Sequence, residues 1–141
     1  KPEDIKVMLM ADYGLVLYGN AIMVNPEFAA ANPEVVAKFV RATIKGMQDT
    51  VKDPDSAIDS VMKRNETADR ATELARLKMA IRDNIATPWV MANGFGAVDP
   101  ARLAASIDQI AVTYEFKNRP KPDDVFTAEY LPAAADRMLA K

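Results

Sequence analysis

Four times in this chain an Asn or Asp side chain stands directly before a proline: Asn25-Pro26, Asn32-Pro33, Asp53-Pro54 and Asp99-Pro100. Asn or Asp at the N-cap accepts from an orphan backbone N–H, and proline at the first helical position forfeits no hydrogen bond. Glu27 and Glu34 then fall in the first turn, where the helix dipole favours negative charge. One device therefore predicts four helix starts, near Asn25, Asn32, Asp53 and Asp99. From Pro33, the residues Val36, Phe39, Val40, Ile44, Met47 and Val51 recur with helical period, while Lys38, Arg41, Lys45 and Gln48 take the other side. From Pro54, Ile58, Val61 and Met62 repeat the pattern more briefly.

The remaining segments carry weaker punctuation. A helix is expected to start near Asn65 and to use Leu74, Leu77, Ile81 and Ile85, with Glu66 and Arg70 spaced to pair. Thr87 to Val98 contains Pro88, Asn93-Gly94 and Gly96 and reads as mostly turn and loop, with room for a short helical turn. A helix from Pro100 would bury Leu103, Ile107 and Ile110. Asn118 to Asp124 reads as extended surface chain, and Pro132 to Ala140 as a final short helix. The methionines are expected to fill gaps in the core.

The first 24 residues differ in texture. Ile5 to Met10 and Leu15 to Val24 are apolar and β-prone, separated by Ala11-Asp12-Tyr13-Gly14. They predict one or two strands beside a helix-rich body. Two strands make a poor independent sheet, so sheet partners outside this chain are expected. Val7, Leu9, Leu15, Leu17 and Ile22 should then be exposed apolar surface, available to another part of the protein or to a second copy.

Composition removes whole classes of chemistry. The chain has no cysteine and no histidine, so thiol nucleophiles, imidazole bases, zinc fingers and disulfides are excluded within it. No carboxylate spacing resembles a calcium loop, and neither a metal nor a cofactor is expected. The formal net charge of −2, with both signs spread along the chain, gives no nucleic-acid surface. No nucleophile–base pair stands out, and no catalytic residue is assigned. Arg41, Lys45 and Arg82 could draw an anion but fit ordinary solvated faces. Gly94-Phe95-Gly96 lacks the third glycine and the context of a nucleotide fingerprint.

Asp12-Tyr13-Gly14 and Tyr18-Gly19-Asn20 form the densest polar and aromatic cluster. Tyrosine offers a flat face and a hydroxyl, and asparagine both a donor and an acceptor. Tyr13, Tyr18 and Asn20 are thus the candidate ligand residues. The plainer reading, that these are turn residues with glycines supplying permissive dihedrals, stands beside it. Trp89, the sole tryptophan, could stack on a ligand or simply pack on a core edge.

The stretch from Asp12 to Ala57 also carries a likeness. The runs DYG, YGNAIMVNPEF and NPEVVAKFVRATIKGMQDTVKDPDSAI resemble the nitrate/sulfonate/taurine and thiamine-pyrimidine (HMP synthase-like) group of periplasmic substrate-binding proteins of ABC importers. The matching positions include Phe28, Asn32, Pro33, Glu34, Arg41, Ala42, Lys45 and Gly46, then Asp53, Pro54, Ala57 and Ile58. Asn93-Gly94-Phe95-Gly96 and Tyr130-Leu131-Pro132 look like that group's C-terminal region, less specifically. The resemblance implies an α/β chain, the C-terminal portion of a two-lobed type II periplasmic-binding-protein fold. Residues 1–24 would be the crossover and 25–141 the helical part of one lobe. It implies capture of a small anionic or polar solute such as nitrate, a sulfonate or a pyrimidine, and delivery to a membrane permease. It also implies periplasmic location, with a signal peptide upstream. Two alternatives remain: a pyrimidine-precursor synthase of the thiamine pathway on the same fold, and a self-contained helical interaction module.

Overall fold

The computed structural model describes residues 4–139. The chain is helix-rich, and its helices begin where the acceptor–proline pairs stand: α1 Pro26–Ala31, α2 Pro33–Lys52, α3 Pro54–Met62 and, later, α6 Pro100–Ala111. Between them lie α4 Arg70–Ala80, a π-helical turn at Ile81–Ile85, and α5 Pro88–Asn93. α7 Pro122–Val125 follows, and 3-10 turns occupy Met10–Tyr13 and Ala134–Arg137. The caps act as their chemistry requires at three of the four pairs. Asn25 accepts from the Phe28 N–H at 3.0 Å, Asp53 from Ser56, and Asp99 from Ala101 and Arg102. Asn32 is different: its amide donates to the Phe28 carbonyl at 3.1 Å and so closes the end of α1 instead.

Several expectations are corrected. Among the described residues there is no strand, so neither Ile5–Met10 nor Leu15–Val24 forms the predicted β-structure. A ladder needs a second backbone edge, and along part of the second run the carbonyls are taken by helix side chains. The exposure foreseen there is present: Val7, Leu9, Leu15 and Ile22 are exposed, and Leu17 is half-buried. Asn65 does not start a helix. It closes a turn with Ala68, and Asp69 is the true cap of α4. Arg70 pairs with Asp59 across to α3 rather than with Glu66. In Thr87–Val98 the short helical turn allowed for is α5, capped by the Thr87 hydroxyl on the Val90 N–H, whereas Asn118–Asp124, expected as extended chain, runs into α7. The C-terminal helix shrinks to the 3-10 turn Ala134–Arg137, with Ala140 outside the described residues. Met8, Met10, Met23, Met79 and Met91 are exposed rather than core-filling.

By internal contacts the chain divides into two compact units. One takes in the chain up to Met23 together with Val98–Thr127, the other Val24–Ala97 and the chain from Ala128 onward. The second unit holds the core. Val36, Val40 and Ile44, one stripe of α2, pack with Ala29, Phe95 and Leu139, flanked by half-buried Met47, Val51, Ile85, Val90, Tyr130 and Leu131. Phe39, placed on this stripe by period alone, sits at its margin and is exposed. On α3, Ile58 is the most deeply buried side chain described. Gln48 of α2 ties down the C-terminal segment, donating to the carbonyls of Asp136 at 3.1 Å and Met138 at 2.8 Å.

Candidate functional site

Tyr13, Tyr18 and Asn20 all lie in the first unit, on the chain that leads into and past a short non-helical strap, Gly14–Tyr18. Tyr13 ends the 3-10 turn, and Gly14 follows in the left-handed region at φ 89°, which releases the chain from that turn. The strap is held by α6 of the same unit. Gln109 donates to the Gly14 carbonyl at 2.8 Å. Arg102 donates from Nε to the Val16 carbonyl at 3.3 Å and from a terminal nitrogen to the Leu17 carbonyl at 2.7 Å. The Ser106 hydroxyl stands 3.5 Å from the Val16 oxygen, while its better bond is to the Arg102 carbonyl at 2.8 Å.

These three side chains share a face because 102, 106 and 109 are spaced four and three apart on a helix. The strap runs opposite to α6, with Gly14 near Gln109 and Tyr18 near Asp99. Ten helical residues rise about 15 Å. Four residues of chain reach at most about 14 Å, so the reach of the Tyr18 and Gln109 side chains is needed to cover this face. The carbonyls of Gly14, Val16 and Leu17, which would otherwise need a neighbouring strand, are satisfied by side chains instead.

Tyr18 is the most constrained of the candidates. Its hydroxyl accepts the Asp99 N–H at 2.8 Å, and the Arg102 guanidinium lies 4.2 Å from its ring centroid. A cation over an aromatic face is attracted by the ring quadrupole. One face and the acceptor lone pair of Tyr18 are therefore engaged within the unit, leaving its other face and its own O–H proton. Tyr13 is 69% exposed, and Asn20 is also exposed. The structure thus places all three on one short segment, two open to solvent and one built into the clamp. Arg102, Ser106 and Gln109 were not singled out from the sequence. Their spacing on α6 was the available signal, but nothing in it says what that polar face holds.

Trp89, the Gly94–Gly96 loop, Lys45 and Arg82 have structural partners. Trp89 is 36% exposed and donates its indole N–H to the Ala97 carbonyl at 2.8 Å. Gly94 and Gly96 take positive φ, 79° and 74°, where the chain turns against its C-terminal segment. There Phe95 donates to the Arg137 carbonyl, and the Arg137 guanidinium donates to the carbonyls of Asn93 and Phe95. Lys45 pairs with Asp49 and Arg82 with Asp83; the latter bond lowers the Asp83 carboxyl below its ordinary range and raises Arg82. Among the described residues, no three carboxylates gather as a metal site would require, and no helix is long and apolar enough to cross a membrane.

The strap and its neighbours have relatives. Residues 1–57 match the family described as NMT1/THI5 like, a span that takes in the whole of Asp12–Ala57 and with it Tyr13, Tyr18 and Asn20. Over 56 residues the chain is 45% identical to the riboflavin-binding protein RibY of Chloroflexus aurantiacus, a stretch covering 40% of this chain and 16% of that protein. No solved structure matches at a significant level. The two matches bear out the likeness read from the N-terminal third and support a solute-binding role in general.

Proposed function

We propose that this chain forms part of a solute-binding protein that serves an ABC importer, and that Tyr13, Tyr18 and Asn20 line one wall of the solute site. One observation carries the reading. The region of family likeness contains the three candidate residues, and α6 holds the strap that carries Tyr18 and separates Tyr13 from Asn20. The arrangement offers aromatic faces, a phenolic proton and an amide, groups that recognise a small polar solute with a planar or oxygen-rich surface. The relative's riboflavin binding adds a fused aromatic ring system to the nitrate, sulfonates and pyrimidines that the resemblance implies. Binding rather than catalysis is the role read here. Periplasmic location and delivery to a membrane permease belong to the same proposal. Ligands of such proteins touch two lobes and bias a closing hinge, so contacts beyond this chain are part of the reading.

Calorimetric titration tests it, using both this chain and the natural gene product containing it. The probes are riboflavin, the thiamine pyrimidine, taurine, alkanesulfonates and nitrate. The gene product is expected to bind one of these classes, and the isolated chain to bind it at least tenfold more weakly, since each tenfold corresponds to only about 1.4 kcal/mol of lost contact. No binding by the gene product to any probe would sink the proposal.

A further inference from the structure

We infer that Arg102 is the positioning residue of this site, an inference that rests on the solute-binding reading above. Of the α6 side chains that reach the strap, Arg102 alone makes three separate contacts with it: the Val16 carbonyl, the Leu17 carbonyl and the Tyr18 ring. Gln109 holds one carbonyl, and Ser106 stands at the limit of bonding distance from one. The three Arg102 contacts fall on consecutive residues. Two carbonyls fixed in a plane by a rigid guanidinium fork set the direction of the backbone entering Tyr18. The same fork covers one face of the ring, so the open face is the one presented away from α6.

Gly19, which follows, has open space where a Cβ would stand, and its permissive dihedrals leave Asn20 free of the direction set at Tyr18. Arg102 therefore controls where the Tyr18 face stands without itself touching the solute. The bond to the Leu17 carbonyl is charge-assisted and partly shielded from water, which makes it stronger than a neutral bond at an exposed site. Lysine cannot replace this function, because an ammonium has neither the planar fork nor the stacking face.

Two measurements on the natural gene product, with wild type, Arg102→Lys, Arg102→Met and Ser106→Ala, decide the matter. The first is hydrogen exchange of the peptide spanning residues 13–20, without ligand. Arg102→Met should speed exchange by about tenfold or more and Arg102→Lys by a smaller factor, while Ser106→Ala should leave it nearly unchanged. The second is affinity for riboflavin, or for whichever of the five probes the wild type binds. It should fall about tenfold in Arg102→Met and Arg102→Lys, measured well below the melting temperature of each variant, with association rates nearly constant and dissociation faster. Unaltered exchange in Arg102→Met would overturn the inference whatever the ligand. So would faster exchange with affinity intact, because the strap would then be held by Arg102 to no purpose in binding. Full rescue by lysine would also overturn it, reducing the residue to a charge. Failure of the wild type to bind any probe would remove the parent proposal and this role with it, while the exchange data would still report whether Arg102 clamps the strap.

Discussion

The Tyr18 hydroxyl accepts the N–H of Asp99, the residue whose own carboxylate caps α6. One end of the strap is thus joined to the start of the helix that holds the Gly14, Val16 and Leu17 carbonyls. Tyr18→Phe keeps the ring beneath Arg102 but leaves the half-buried Asp99 N–H without its acceptor. It should cost about 1–2 kcal/mol, read as a lower midpoint in urea unfolding at unchanged slope. Tyr18→Ala should cost more, since the cation–ring contact goes as well. Equal stability of wild type and Tyr18→Phe would show that water satisfies Asp99.

Two glycines should respond in opposite directions to alanine. At Gly94 a Cβ would meet the Arg137 carbonyl oxygen at 2.9 Å, on a backbone with φ 79°. Gly94→Ala should lose about 1–3 kcal/mol. Gly46, inside α2, has open space where its Cβ would stand. Gly46→Ala should gain up to about 1 kcal/mol from helix propensity alone. Thermal melts of the two variants side by side check the pair, and a shift of the same sign in both would refute it.

Asn25 and Asn32 look alike in sequence and should behave differently when made acidic. Asn25 acts through its oxygen, which aspartate keeps, and a negative charge at the start of α1 is favourable by about 0.3–1 kcal/mol. Asn32 acts through its amide nitrogen on the Phe28 carbonyl, which aspartate cannot do. Asn25→Asp should be neutral or stabilising, and Asn32→Asp destabilising by about 1 kcal/mol. Chemical denaturation of both variants settles it, with reversal of the order as the contrary result.

Asp69 supplies a pH-dependent contribution. The Thr72 hydroxyl, and then the Thr72 N–H, hold its carboxyl below the ordinary value of 3.8. A folded pKa below the unfolded one means stability that is present above 3.8 and lost as pH falls through the lowered value. Asp69→Ala should therefore melt below wild type at neutral pH, with the gap closing on acidification past 3.8. A gap that is constant down to the acid limit would show that the carboxylate charge plays no part in the cap.

Much of the helical framework was legible because local chemistry decides it. At Asn25, Asp53 and Asp99 the cap lies within three residues of the N–H it serves, so no distant partner is needed. Asn32 escaped because both ends of its side chain are chemically able, and the end of α1 competed for it. Asp69 was missed because no proline follows it, although Thr72 three residues on is a capping partner. The strap was illegible for a different reason. Apolar, β-prone residues predict a strand, but a strand is a relation between two backbones, and here the partner is a polar helix face more than eighty residues away. Tyr18 was found as a candidate from its type. Arg102 could not be, since an arginine on a helix ordinarily reads as solvated surface.

α6 grips the strap through main-chain oxygens, which every amino acid supplies. The grip is therefore indifferent to what Leu15, Val16 and Leu17 carry as side chains. Those positions can drift, lose bulk or gain polarity while the path of the chain stays where Arg102 and Gln109 set it. A segment anchored in this way can be given a new surface one substitution at a time, and a library randomised at these positions should return mostly folded members.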